Sequence, residues 1–296
     1  MDQSHQKRQK IIEAQTYKVV KSNDLIQKSR FNLSLQEQKI VLYLISKIKP
    51  EDMDLKEHIF EIKDFCQVCG LDYDNGTNYK NIKQTLKSLR DKSVWIKIDR
   101  EETTLAWIDK VTIVERSGAV RIKLDDMMKP YLLQLREKFT QYELLYTLAM
   151  KSQYSLRLYE LLKSYEYRYG QIFTVEELKE KLGAENYDRF YDFRRKVIEI
   201  AMREINELSD LNVICTMMKD SRSYSKIKFN IKPKKDLDER LKTWQQIELK
   251  LRNSKTTQDT QANQVTQDAQ ANQDTQDTQD TQDAQDTQET QVTQDT

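Results

Sequence analysis

The chain has 296 residues, 38% of them hydrophobic and 33% charged, with a net charge of +1. No stretch approaches the roughly 18–20 apolar residues of a spanning helix, and the polar start MDQSHQKRQK has no apolar segment of the secretory kind, so the chain reads as cytoplasmic with no membrane partner. The average charge hides a division: nine of the 48 acids but none of the 49 bases lie beyond Lys255, so residues 1–255 keep 39 acids and stand at +10, a basic body suited to a polyanion.

Residues 1–16 are polar and predict a flexible arm, with structure starting near Tyr17. Ser34-Leu-Gln-Glu37 matches a capping box, in which hydroxyl and carboxylate satisfy orphan N–H groups at a helix start. Ile40, Val41, Leu44, Ile45 and Ile48 follow at helical spacing, with Pro50 just beyond. A short strand around Ile59–Ile62 and a brief helix near Lys63–Cys69, ended by Gly70, come next. After the turn Asp72–Gly76, the residues Tyr79, Ile82, Leu86 and Leu89 mark a second amphipathic helix, whose opposite face carries Lys80, Lys83, Lys87 and Arg90. The runs Val94–Ile98, Leu105–Val114 and Val120–Leu124 predict strands, the last two joined at Ser117-Gly118. Helices followed by strands with a hairpin are the order of a winged helix.

The order then repeats. Thr140-Gln-Tyr-Glu143 reads as another capping box opening a helix. Ser155–Tyr169 predicts a helix with Leu158, Leu161, Leu162 and Tyr165 on one face, stopped by Gly170. Ile172-Phe173 predicts a short strand, and Thr174-Val-Glu-Glu177 caps a short helix ending at Gly183. A long helix from about Tyr187 to Leu208 buries Phe190, Phe193, Val197, Ala201, Ile205 and Leu208. Val213–Met217 and Ile227–Ile231 form a hairpin around Lys219–Ser225. Pro233 closes the unit, and Asp236–Arg252 predicts a last helix. From Thr256 onward the chain repeats Thr, Gln, Asp, Ala and Asn in threes without an aromatic, which cannot bury enough surface to fold.

The fold class expected is α+β and helix-rich: two tandem winged-helix domains plus a disordered repetitive C-terminal tail. The boundaries are 1–16 for the arm, 17–128 and 129–235 for the two domains, 236–254 for an amphipathic helix and 255–296 for the tail. The strict three-residue period also admits a reading at the DNA level, in which the coding repeats themselves form an array of binding sites; replication slippage in a tolerant tail is the plainer account.

Several chemistries are excluded by count. None of the five glycines precedes a lysine, so there is no P-loop, and no G-x-G-x-x-G occurs. Two histidines, His5 and His58, rule out an H-E-x-x-H hydrolase. Cys66, Cys69 and Cys215 make no disulfide framework. Cys66-x-x-Cys69 with His58 and Cys215 could be read as zinc ligands, but the spacing is loose and buried thiols are the favoured reading. Fifteen tyrosines invite a nucleophile, yet Tyr146, Tyr154, Tyr159 and Tyr165 fall mostly at core spacing. No enzyme, cofactor or metal is expected.

DNA binding carries the strongest signal. Tyr187–Lys196 reads YDRFYDFRRK, with Arg189, Arg194, Arg195 and Lys196 against two acids, and the helix turns acidic at Glu199, Glu204, Glu207 and Asp210. That polarity suits a helix whose first turns meet base edges in the major groove, where arginine pairs bidentately with guanine. The hairpin from Val213 to Lys235 adds seven bases and one acid, a wing for phosphates. The Lys80, Lys83, Lys87 and Arg90 stripe reads either as phosphate contact or as an exposed helix face.

These residues resemble the plasmid replication initiators of the two-winged-helix Rep superfamily, which bind repeated origin sequences called iterons. The matching stretches are VVKSNDLI (Val19–Ile26) with LSLQEQKIVLYLISKI (Leu33–Ile48), and SLRLYELLKSY (Ser155–Tyr165) with FRRKVIEIAMREIN (Phe193–Asn206) and the basic hairpin. The likeness covers about residues 17–235 and leaves out the tail. It implies a plasmid-encoded bacterial protein that binds double-stranded direct repeats as a monomer and opens the adjacent origin with host replication proteins, a helicase or its loader. It also implies a homodimer in equilibrium with the monomer, dimer contacts on the first domain and the main readout on the second. Base contacts would fall within Tyr187–Lys196, at Tyr187, Arg189, Tyr191, Arg194, Arg195 and Lys196. Lys219, Arg222 and Lys226 would hold the backbone, and Lys80, Lys83, Lys87 and Arg90 the other end of the iteron. A winged-helix transcriptional regulator and a non-DNA scaffold are the alternatives.

Overall fold

The computed structural model describes residues 17–69, 76–114, 118–221 and 223–251. The expected arm 1–16, most of the Asp72–Gly76 turn, the Tyr79 side chain, Ser117, Arg222 and the repeat tail lie outside the described residues.

The first half opens with β1 (Lys18–Ser22), the short helix α1 (Asn23–Gln27), β2 (Ser29–Arg30) and α2 (Leu35–Ile45). Both arms of the expected capping box form on α2: the Ser34 hydroxyl accepts from Glu37 N, and the Glu37 carboxylate accepts from Ser34 N at 2.7 Å. Every residue of α2 from Glu37 to Ile45 is buried, so this helix is a central element rather than a surface one. There follow β3 (His58–Glu61), α3 (Ile62–Val68), α4 (Gly76–Arg90), β4 (Ser93–Ile98), β5 (Glu101–Ala106), β6 (Ile108–Ile113) and β7 (Ala119–Leu124). The single run expected over Leu105–Val114 is two strands in two sheets, ordered β2-β4-β5 and β3-β7-β6. The break is at Trp107, which is 1% exposed and packs edge-on against Phe31 at 5.2 Å, so burying its ring turns the chain from one sheet to the other.

The second half contains α5 (Lys129–Leu132), β8 (Phe139–Glu143), α6 (Leu145–Leu148), α7 (Gln153–Lys163), β9 (Gly170–Thr174) and α8 (Val175–Leu182). Next come α9 (Phe190–Phe193), a π-helical turn (Arg194–Ile198) and α10 (Glu199–Leu208) as one continuous rod, then β10 (Leu211–Asp220) and β11 (Ser223–Pro233). Residues 237–251 form the last helix, α11. Among the described residues no helix is long and apolar enough to cross a membrane.

Thr140-Gln-Tyr-Glu143 does not open a helix. It is strand β8, paired antiparallel with β1 from Lys18↔Glu143 to Ser22↔Phe139. Thr140 and Tyr142 are buried in strand alternation, and the Thr140 hydroxyl bonds Asn23 Oδ1 instead of a helix N–H. The partner strand lies far away in sequence, which is why local letters mislead. The helix expected over Ser155–Tyr169 stops at Lys163, and Tyr169 rather than Gly170 takes the left-handed turn, at φ 58°. Gly170 is required for another reason: a Cβ there would stand 2.5 Å from the Phe229 carbonyl oxygen. Gly183 ends α8 at φ 64°, as expected.

One continuous apolar core runs through both halves. The helix α7 supplies Leu156, Leu158, Tyr159, Leu161 and Leu162 to it, all fully buried, and contacts both α2 and α10.

Candidate nucleic-acid interface

The rod of α9, the π turn and α10 buries Phe193, Val197, Ile198, Ala201, Ile205 and Leu208, close to the stripe expected from spacing, with Phe190 partly covered. In the π turn Glu199 N donates to the Arg194 carbonyl five residues back. The extra residue per turn lets adjacent Val197 and Ile198 both face the core. It also brings the Arg194 guanidinium against the Glu199 carboxylate at 2.8 Å.

The two ends of this rod use their charges differently. The acids of the distal end are bonded into the protein. Glu204, 7% exposed, accepts from Lys151 N and Ser152 N at the start of α7. Glu207 pairs with Lys250 at 2.6 Å. Asp210 accepts from the Tyr159 hydroxyl and pairs with Lys163. Burial works to lower the Lys163 pKa, but Asp210 and Glu166 outweigh it and raise it. The cations of the leading end are exposed. Arg189 and Lys196 share Asp192, at 3.2 and 3.6 Å, and Arg195 has no carboxylate partner among the described residues. Tyr191 is 65% exposed beside them. Pairs of this exposed kind contribute about 0.3–0.5 kcal/mol each, so they orient the side chains without holding them from a ligand. Tyr187 does not join the group: it precedes the helix, is half-buried, and packs edge-on against Tyr154 at 6.0 Å.

The wing hairpin is longer than spacing suggested, so Lys219 lies within a strand. Its register slips near the tip: Met218 faces Lys226 while Lys219 faces Tyr224, leaving Ser225 as an extra residue. A bulge reverses which face the following side chains take. Below it Ile227, Phe229 and Ile231 point into the core, and Lys226, Lys228 and Lys232 lie exposed on the opposite face of the sheet. Above it Tyr224 turns to the helix side and stacks on Phe190 at 4.7 Å and 21° between planes. The Lys219 ammonium lies over the same tyrosine, 4.9 Å from its ring centre. Thus Lys219 sits with the leading end of the helix, whereas Lys226 does not. The Tyr224 contact escaped sequence reasoning, because strict alternation places Tyr224 with Lys226, and helical spacing assigns Phe190 only to the buried stripe. Lys234, counted among the wing's bases, is 7% exposed and bonds the Asn206 carbonyl and the Thr243 hydroxyl, a structural role.

On α4 the expected division holds. Ile82, Leu86 and Leu89 are fully buried. Lys80, Lys87 and Arg90 are exposed and Lys83 partly so, none with a carboxylate partner among the described residues. The helix is fixed from its other side: the Ser88 hydroxyl donates to Glu37 at 3.0 Å, and Lys92 pairs with Glu37 at 2.7 Å. Burial opposes the Glu37 charge, yet Lys92, the Ser34 N–H and Ser88 together hold its carboxyl below the usual range.

The cysteine readings separate clearly. Cys66 and Cys69 are buried, and burial pushes the Cys69 thiol up to about 12 and the Cys215 thiol up to about 11. No group of three or more candidate metal ligands occurs among the described residues.

Residues 18–163 match the family described as Initiator Replication protein, WH1, and residues 174–231 match Initiator Rep protein, WH2. The PI protein of Escherichia coli is 29% identical over 148 residues, 44% of this chain and 48% of that protein. A replication initiation protein of Escherichia coli is 23% identical over 208 residues, 66% of this chain and 64% of that protein. The chain therefore spans about half the length of the first of these relatives and just under two thirds of the second. The crystal structure of Pi initiator protein in complex with iteron DNA superposes with a TM-score of 0.62 at 23% identity, over 75% of this chain and 99% of that one. The fold is two winged helices in tandem.

Proposed function

The chain belongs to the initiator replication protein family, and from that premise we propose that it is a plasmid replication initiator that binds double-stranded direct repeats at its origin. The leading end of the α9 rod enters the major groove, with Arg189, Tyr191, Arg194, Arg195 and Lys196 toward base edges. Lys219 holds phosphates from the wing, as does Arg222, and Lys80, Lys83, Lys87 and Arg90 contact a second stretch of the same duplex. Bound repeats then serve to open neighbouring DNA with a host helicase or its loader, and the protein exchanges between monomer and homodimer. The relative solved with iteron DNA supports the choice of ligand.

The observation that carries this reading is the division along one helix. The acids of its distal end are bonded to groups elsewhere in the protein, while the cations of its leading end stand exposed where a winged helix meets DNA. A footprint of the purified protein on its own gene and flanking DNA tests it. Protection of a set of direct repeats is expected, weakened by Arg195→Ala. Protection of one palindrome would point to a transcriptional regulator, and no protected sequence at all would remove the reading.

A further inference from the structure

Arg157 is 2% exposed on α7 and binds no carboxylate directly. Its Nη2 donates to the Ile26 carbonyl at 2.9 Å, the Ser29 carbonyl at 3.0 Å and the Ser29 hydroxyl at 3.1 Å. Its Nε donates to the Lys181 carbonyl at 3.1 Å. The guanidinium also covers the face of Phe31 at 4.6 Å. Ile26 and Lys181 lie in the last turns of α1 and α8, where carbonyls lack helical partners and carry the negative end of the helix dipole. One cation thus ties together two helix ends, and they belong to different halves: α1 and β2 to the first winged helix, α8 to the second. Lys181 returns the link, its Nζ donating to the Gln27 carbonyl at 2.5 Å.

Each end of this junction leads directly to a basic helix. On one side Ser29 and Arg30 pair with Ile96 and Trp95 of β4, the strand that begins three residues after α4 ends at Arg90. On the other, Lys179 of α8 donates to the Asp188 carbonyl at 3.5 Å and lies over the Phe193 ring, fixing the start of the α9 rod. The connection runs α4, β4, β2, Arg157, α8, α9 through hydrogen bonds and ladders.

We infer that Arg157 is a positioning residue that sets the spacing between the two DNA-contacting helices, and so the distance and phase between the two segments of a site that one molecule binds. This rests on the two-segment binding proposed above. Inserting one base pair between two segments displaces one from the other by about 3.4 Å and turns it by about 35°. A rigid junction cannot follow that change, whereas a loosened one can, leaving two heads joined by chain alone.

The experiment measures affinity for a footprinted repeat, and for the same repeat with one or two base pairs inserted between its protected segments, using the full chain and Arg157→Met. The parent should weaken by about tenfold or more on insertion, the order that a single mismatched base pair produces. Arg157→Met should bind the original site more weakly but weaken by less than about threefold on insertion, with thermal unfolding showing that it is folded. A variant that is weaker on both sites yet keeps the parent's tenfold ratio has only lost stability, and that result overturns the assignment. A parent indifferent to the insertion overturns the two-segment reading itself, and this inference with it. Should Arg157→Met fail to fold, Lys181→Met, which cuts the bond to Gln27 at the same junction, takes its place with the same expected and overturning ratios.

Discussion

On α4, Lys80, Lys87 and Arg90 stand exposed with no carboxylate against them among the described residues, while at the start of the α9 rod Arg189, Arg194 and Lys196 are each met by an acid from their own helix. Both helices are buried on the opposite face, so the difference is not one of exposure. An unpartnered lysine is a point charge on a flexible stem, suited to any phosphate. A guanidinium carries a planar fork that can pair with a base edge, and one already held by a carboxylate must give up that pair to do so. Under the proposed function, affinity would belong to the first helix and selectivity to the second, with Arg195 the one guanidinium at the start of the rod without a carboxylate partner among the described residues.

Removing each charge set puts this division of labour under the greatest strain. Replacing Lys80, Lys83, Lys87 and Arg90 together by alanine should weaken binding to specific and unrelated DNA alike, and lower the salt slope by about 3–4, at roughly 0.9 for each phosphate no longer neutralised. A change in the ratio of specific to unrelated binding would contradict the assignment. Arg195→Ala should cost about 1–3 kcal/mol on the specific site and little on unrelated DNA. Arg194→Ala should cost less, because in the parent any contact of Arg194 with DNA is made at the expense of its pair with Glu199; equal effects in competition binding would show that pairing does not rank the two arginines. A smaller effect is expected at the wing. Tyr224→Ala removes a ring stack of about 0.5–1.5 kcal/mol and should leave Lys219 unsupported, reducing affinity and lowering the salt slope by about 0.9, the equivalent of a single phosphate. Lys226→Ala, on the far face of the sheet, should leave the slope unchanged in the same salt titration.

How much of this was legible depended on distance along the chain. Ser34 and Glu37, the buried stripe from Phe193 to Leu208 and the spacing of Lys80, Lys83, Lys87 and Arg90 all rest on periodicities within one helix, and local letters set those. The winged-helix order followed from them, and with it the basic leading end of the α9 rod. Long-range packing settled the rest. Thr140–Glu143 reads like a helix start and becomes a strand because Lys18 and its neighbours, 125 residues away, supply a ladder. Leu105–Val114 divides because Trp107 must be buried between two sheets. Tyr224 and Lys226, which alternation would place together, part to opposite faces because one extra residue, Ser225, enters the hairpin. Lys234 leaves the wing's surface because Asn206 and Thr243 give its ammonium buried partners. Which residue types lie on each helix face was written in the amino-acid order alone, since a helix repeats within a few residues. Which cations share a surface, which are consumed inside, and that Arg157 joins the two halves emerged with the folded chain, since each depends on groups brought together from distant segments.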